Sequence, residues 1–239
     1  MFEFITRKLD RRRLWAALKD YPEYAPPHRG KAKLKRAQAQ ENFEFFMGQR
    51  ATRLACLETF LAEFSVPLKL EPEALPPLDA WMLCYSGFLI PPRGYGTIAS
   101  LEEYHPAWTG PYAGMNIIHD VSVFVGDYIV KFNPQARWAL FVGDGERGTR
   151  DMMGYYHPCL FGIHPHHPRY SEIYPLYVGE VIFDCCAGSR RRHEGSYMPS
   201  AGKSDFYRKW GDENELVRRV KFWADPEAPP PIPYSPGLQ

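Results

Sequence analysis

The chain has 239 residues, of which 45% are hydrophobic and 24% are charged. This composition excludes a chain that is disordered throughout, because it supplies enough apolar surface for a core. The 23 prolines exclude a coiled coil or a helical repeat array, since proline interrupts long helices. The sequence therefore predicts one compact domain.

Basic residues are concentrated at the N-terminus. Residues 1–36 contain 11 Lys or Arg and 4 Asp or Glu, so this arm carries a formal charge of +7 while residues 37–239 carry −6. The basic side chains of the arm that could contact phosphates are Arg11, Arg12, Arg13, Lys31, Lys33, Lys35 and Arg36. Such an arm can bind nucleic acid, an anionic lipid surface or the acidic body of the same protein, and the sequence leaves these partners open.

The sequence favours a cytoplasmic location. Residues 1–21 lack the apolar run of a secretory signal, and no window approaches the roughly 20 apolar residues of a membrane span, so we expect no membrane partner. The cysteines are odd in number and unevenly spaced, which favours reduced thiols over a disulfide framework. They are Cys56, Cys84, Cys159, Cys185 and Cys186.

Apolar spacing predicts three helices in the first part of the chain. Residues 2–21 repeat apolar side chains near the helical period, and residues 31–64 form a longer helix whose basic first turns we expect to project from the body. The apolar stripe of that longer helix consists of Phe43, Met47, Leu54, Leu57, Leu61 and Phe64. A short helix follows at 76–83, and the proline and glycine content of 87–114 predicts an irregular connection.

The second part of the chain mixes helices and strands. Residues 115–132 fit either structure, and we interpret them as a helix because they exceed the length of a typical strand. Strands are predicted at 137–142, 158–163 and 176–185, with a turn at 143–148. A final helix at 204–224 precedes a proline-rich tail at 225–239.

These elements predict an α+β fold, in which N-terminal helices pack with a small, mainly antiparallel sheet and are followed by a C-terminal helix and the tail. The expected organisation is a basic helical arm at 1–36, a single domain at 37–224 and the proline-rich tail at 225–239. We expect Trp81 and Trp138 to lie in or near the core, since large aromatic side chains dominate apolar burial.

Three segments resemble uncharacterised bacterial protein families. The first is the helix at 50–70 followed by the Trp-containing segment 75–81, the second is 120–138 with its Gly126-Asp127-Tyr128-Ile129 motif, and the third is 158–176. The resemblance covers about residues 43–180. Some members of these families look like accessory or immunity proteins of bacterial toxin systems, so the resemblance implies a protein that blocks or escorts another macromolecule.

His119 and Asp120 are candidates for acid–base chemistry. They are adjacent in the helix predicted at 115–132, and Asp127 follows Asp120 by one heptad and lies on nearly the same face. A histidine beside a carboxylate can transfer protons when a cleft and a nucleophile meet at it. The competing interpretation is structural, with Asp120 favouring the helix start and His119 making a hydrogen bond.

The densest set of metal-ligating residue types consists of His157, Cys159, His164, His166 and His167. Imidazole and thiolate groups can hold Zn²⁺, but the spacing differs from familiar zinc patterns and a stiff proline-rich loop also explains the segment. We therefore expect no metal and no cofactor.

The Gly143-x-Gly145-x-x-Gly148 pattern indicates a hairpin turn, because too few residues follow it to form a phosphate-binding helix. We expect Cys185 and Cys186 to be buried and inert, despite the basic residues that follow.

The favoured function is a non-catalytic cytoplasmic binding protein, such as an immunity-like inhibitor. Aromatic and arginine side chains in its loops are the types that anchor protein interfaces. The candidate binding residues are Tyr95, Tyr104, Trp108, Tyr112, Tyr155, Tyr156, Tyr170, Arg190, Arg191 and Arg192. One alternative is a metal-assisted or acid–base enzyme that uses His119, Asp120 and the 157–167 segment. Another is a nucleic-acid binder that uses the basic arm.

Overall fold

The computed structural model describes residues 2–30, 33–91, 98–143, 151–163, 175–196 and 212–228. These residues form helices α1 (Phe2–Ala17), α2 (Arg36–Ala62), α3 (Leu75–Tyr85), α4 (Ile98–Glu103), α5 (Gly114–Phe132), α6 (Val178–His193) and α7 (Glu215–Ala224), and strands β1 (Arg137–Leu140) and β2 (Pro158–Phe161). Helices dominate, and β1 and β2 form an antiparallel pair. The predicted α+β class is confirmed.

Helix α5 is the centre of the fold. It is apolar on nearly all sides and contacts α2, α6, α7 and β1, as expected of a helix that other elements surround. Gly126 permits the closest of these approaches, since a Cβ there would lie 1.9 Å from Cζ2 of Trp138. The predictions of a helix at 115–132 and of close packing at Gly126 are confirmed.

The first turns of α2 pack against the body, so the expectation that they project into solvent is wrong. Ala39 and Asn42 are buried. The side chain of Asn42 accepts a hydrogen bond from the backbone N–H of His28 (3.0 Å) and donates one to its carbonyl (2.9 Å). These two bonds tie the start of α2 to the preceding segment. The buried face is also rotated from the predicted stripe, since it contains Arg53 while Met47 is 37% exposed.

Two of the three predicted strands are confirmed, and the third is wrong. Trp138 of β1 pairs with Leu160 of β2, as the strands predicted at 137–142 and 158–163 require. Residues 178–193 form helix α6, so the strand predicted at 176–185 is wrong. The buried residues Val178, Val181, Ile182 and Cys185 follow the spacing of a helix face, which the strand interpretation overlooked.

One large apolar core joins segments from both ends of the chain. It contains Leu14 and Leu18 of the N-terminal arm together with Trp223 of α7, so the arm packs on the same core as the rest of the protein. Trp81 lies inside this core and Trp138 packs against it, as predicted. Of the predicted helix at 204–224, residues 215–224 are helical, while 204–211 and most of the proline-rich tail lie outside the described residues.

The predicted irregular connection at 87–114 contains short helical segments. Residues 86–88 and 110–112 form single 3-10 turns, α4 lies between them, and 92–97 are outside the described residues. The segment packs over the start of α5, where Asn116 donates a hydrogen bond to the carbonyl of Trp108 (2.8 Å). A search of the described helices finds none with the length and hydropathy to cross a membrane.

Candidate functional site

A buried carboxylate organises the N-terminal half of α5. Asp120 has no solvent exposure. It accepts hydrogen bonds from Nε (2.9 Å) and Nη2 (2.6 Å) of Arg53 on α2, from the hydroxyl of Tyr21 (2.5 Å) and from Nδ1 of His119 (2.8 Å). Burial and the neighbouring carboxylate raise the pKa of Tyr21, so its hydroxyl remains a donor at neutral pH. The Arg53 guanidinium supplies the positive charge that a buried carboxylate needs.

These contacts set the protonation state of His119. The carboxylate of Asp120 accepts the hydrogen bond from His119, so the proton of the imidazole lies on Nδ1 and Nε2 carries a lone pair. The ring of Tyr24 stacks on the imidazole at a centroid distance of 3.9 Å. Burial lowers the pKa of His119, and this effect outweighs the opposing effect of Asp120. His119 is therefore a neutral hydrogen-bond acceptor at pH 7.

His119 lines a cavity that brings together residues from three of the predicted sets. Tyr104 and Trp108 were candidates for binding, His119 for acid–base chemistry and His157 for metal ligation, and all four line this cavity. The other lining residues are Phe46, Leu101, Ser122, Val123, Trp138, Pro158, Tyr177, Val178 and Gly179. The lining is mainly aromatic and aliphatic, with few polar groups. This is the usual composition of a small-molecule site.

The predicted metal-ligating residues do not form a metal centre in the described part of the chain. His157 is buried with Nδ1 3.2 Å from the hydroxyl of Tyr104. The thiol of Cys159 donates to the carbonyl of Gly154 (3.6 Å) and packs in a second small core with Phe141. His164, His166 and His167 lie outside the described residues. Among described side chains, no group of three or more His, Cys, Asp or Glu could hold a metal ion.

Asp127 has a different neighbourhood from Asp120, although the two lie on the same helix. Its carboxylate accepts hydrogen bonds from Nη1 of Arg50 (2.6 Å) and from Nε1 of Trp138 (2.8 Å). These bonds link α5 to α2 and to β1. Asp127 does not line the cavity, so the structure assigns it to packing rather than to the chemistry of His119.

Most of the predicted aromatic interface is internal. Tyr104, Trp108 and Tyr155 are buried, so they do not form an exposed aromatic surface. Tyr112 and Tyr156 are partly buried. Tyr95 and Tyr170 lie outside the described residues.

A second depression, which we call the basic groove, lies between α1 and the C-terminal end of α6. Its lining residues are Arg11, Trp15, Gly87, Phe88, Ile90, Arg190, His193 and Glu194, and its volume is about 260 Å³. The guanidinium of Arg190 donates to the carbonyls of Gly87 (3.1 Å), Ile90 and Pro91 (2.9 Å). The groove therefore unites Arg11 of the basic arm with Arg190, the first residue of the predicted arginine cluster. Arg191, the next residue of that cluster, is exposed and Arg192 is partly buried.

The basic arm does not present its charges at one place. Arg13 donates to the carbonyl of Glu63, at the C-terminal end of α2, and its guanidinium lies over the ring of Phe64. Arg36 begins α2 at the opposite end. A 27-residue helix is about 40 Å long, so these two arginines are far apart. Arg12, Lys33 and Lys35 are exposed. Lys31 lies outside the described residues.

Cys185 and Cys186 have the character of structural thiols that the sequence predicts for them. Cys185 and Cys186 are buried, and burial raises the pKa of both, in the case of Cys186 to about 12. A thiol with a raised pKa is rarely ionised at neutral pH and is a poor nucleophile. The five cysteines are not joined in disulfides.

Sequence reasoning missed the partners that orient His119. Tyr21, Tyr24 and Arg53 lie far from it in the chain, and only Arg53 left a signal, as a charged residue at a core position of α2. Comparison with known protein families, curated proteins and solved structures finds no match to this chain. The resemblance to uncharacterised bacterial families therefore stays a prediction.

Proposed function

We propose that the chain is a non-catalytic, cytoplasmic binding protein that recognises an acidic surface of a partner protein, as an immunity-like inhibitor of a bacterial toxin does. The observation that carries this proposal is the basic groove. It combines the cations of Arg11 and Arg190 with the rings of Trp15 and Phe88, and Glu194 is the one acidic residue among its described lining residues.

The construction of the groove favours a protein partner. Arginine and aromatic side chains are enriched at the centres of protein interfaces. Arg190 is held by three backbone carbonyls, and the ring of Phe88 stacks on His193 at a centroid distance of 4.3 Å. Side chains that are ordered before binding lose little conformational entropy in the complex. A carboxylate-bearing surface would meet these groups with complementary charge.

The distribution of cations argues against nucleic acid as the main partner. Single-stranded nucleic acid is bound along a continuous positively charged track with stacking rings. Here the cations of the arm are divided between the two ends of α2. The groove therefore offers a compact positive site rather than a track.

The surroundings of His119 support a non-catalytic role. Ser122 is the nearest hydroxyl of the cavity lining in sequence, and its proton is donated to the carbonyl of Ile118 (2.6 Å). The Tyr104 hydroxyl is engaged with His157. A base requires a nucleophile oriented toward it, and neither side chain is oriented in this way.

The experiment that tests this proposal is quantitative capture of partners from nuclease-treated native lysate. Arg11→Glu reverses a charge in the basic groove, while Arg36→Glu makes the same change at the exposed start of α2 and serves as the matched control. We expect Arg11→Glu to reduce the captured partner at least about tenfold, because like charges at an interface repel, and Arg36→Glu to leave it within about twofold. Equal capture by all three proteins would refute the groove as the binding surface.

The nucleic-acid alternative is measured in parallel with a fluorescent single-stranded DNA 20-mer. The proposal expects no tight binding at physiological salt. Tight binding that falls steeply between 50 and 200 mM salt would instead support phosphate contacts by the arm.

A further inference from the structure

His119 lines the cavity beside α5 and has a ring nitrogen that the fold orients but does not pair. Nε2 of His119 is buried and has no hydrogen-bond partner. The opposite ring nitrogen is fixed by Asp120, which is itself fixed by Arg53 and Tyr21. A buried polar atom without a partner is costly, and native proteins usually satisfy such atoms with protein, water or a ligand.

The size of the cavity limits what it can hold. The space that the centre of a water molecule could occupy is about 30 Å³, above the roughly 10–15 Å³ that one water needs by this measure. The whole space between the lining atoms, including space open to solvent, is about 380 Å³. The cavity therefore has room for a small group such as a hydroxyl.

The charge of the lining selects for an uncharged molecule. His119 is neutral at pH 7 because burial lowers its pKa, and the lone pair on Nε2 repels anions. The charges of Asp120 and Arg53 are paired with each other behind the ring. The side chains of Phe46, Val123 and Trp138 add apolar surface to the lining.

We propose that this cavity binds a small uncharged alcohol or phenol. The hydroxyl donates a hydrogen bond to Nε2 of His119, and the apolar part of the ligand lies against Phe46, Val123 and Trp138. The site is separate from the basic groove, so this inference does not depend on the proposed partner protein.

The test uses phenol as the probe. Toluene is the control, because it has a methyl group in place of the hydroxyl and so cannot donate a hydrogen bond. The full-length protein is labelled with ¹⁵N, and the side-chain nitrogens of His119 are followed by long-range ¹H–¹⁵N correlation during each titration. We expect phenol to shift the Nε2 resonance saturably and to bind about tenfold more tightly than toluene, a factor that corresponds to about 1.4 kcal/mol. Equal affinity for both probes, or no saturable shift, would overturn the proposal and leave Nε2 to an ordered water.

Two variants locate the preference at His119. His119→Asn keeps an N–H that can donate to Asp120 but removes the acceptor in the cavity. His28→Asn is the matched control, because His28 is partly exposed and pairs with Glu41 outside the cavity. We expect the preference for phenol to disappear in His119→Asn and to persist in His28→Asn. Retention of the preference for phenol in a folded His119→Asn protein would refute the role of Nε2. If that variant does not fold, the comparison of phenol with toluene on the unmodified protein tests the proposal.

Discussion

Asp120→Asn is expected to destabilise the protein much more than Asp127→Asn, a change at the other carboxylate of α5. The change keeps the shape of the side chain but removes its negative charge. Arg53 would then be a buried cation without its counterion, since its side chain is 5% exposed and that of Asp120 is fully buried. Breaking a buried ion pair by removing one partner costs about 3–5 kcal/mol. The loss is a large part of the typical stability of a domain.

Urea denaturation followed by circular dichroism measures this loss, and Asp127→Asn is its matched control. Asp127 lies on the same helix and pairs with Arg50, but the side chains are 17% and 26% exposed. Solvent screens such a pair, so the ion-pair contribution is expected to be about 1 kcal/mol or less. We therefore expect the unfolding midpoint to fall much further in Asp120→Asn than in Asp127→Asn.

The buried pair also determines how a double variant behaves. Arg53→Met alone leaves a buried carboxylate without its cation, whereas Arg53→Met combined with Asp120→Asn removes both charges. The double variant should therefore lose clearly less free energy of unfolding than the sum of the two single variants. Additive losses, or a loss in Asp120→Asn no larger than in Asp127→Asn, would contradict the assignment of a strong buried pair.

Two further predictions concern packing and protonation. Gly126→Ala should lower the free energy of unfolding by about 1–3 kcal/mol, because the added Cβ would overlap the ring of Trp138. Gly48→Ala is the control, because its Cβ would meet open space in α2. In the same denaturation assay it should raise the free energy of unfolding by up to about 1 kcal/mol. The free energy of unfolding should fall as the pH drops below about 6.5, because unfolded His119 binds a proton that the folded protein disfavours. Denaturation between pH 7.5 and 5.5 should show a weaker decline in His119→Asn, and an identical decline in both proteins would contradict the lowered pKa.

The elements that sequence reasoning predicted correctly are those whose signals are local. Helix α5 was identifiable from its length and apolar content, and β1 and β2 from short apolar runs bounded by turn residues. The strand predicted at 176–185 is wrong because Val178, Val181 and Ile182, which belong to residue types that favour strands, lie in helix α6. The spacing of these three residues fits a helix. Among the described residues of 175–196, the strand-like contact is a single bridge between Leu176 and Leu160.

The candidate sites depended on contacts that no local pattern contains. His119 and Asp120 were recognisable as a pair, but the groups that fix them come from Tyr21 and Arg53, on other segments of the chain. The prediction that aromatic residues in loops are surface anchors depends on the usual exposure of loops. Trp108 instead packs into the core, where its indole N–H donates to the carbonyl of Ser100 (3.1 Å).

The network around Asp120 explains why α2 places an arginine at a core position. Its donors come from the segment after α1, from α2 and from α5, so one carboxylate fixes the relative positions of three segments. A well-packed apolar cluster could supply similar stability, because burying two charges removes much of the energy that their attraction returns. An apolar cluster could not, however, hold the imidazole of His119 in one tautomer with its lone pair on Nε2. The charged groups at this position therefore fix the orientation of His119, which lines the cavity.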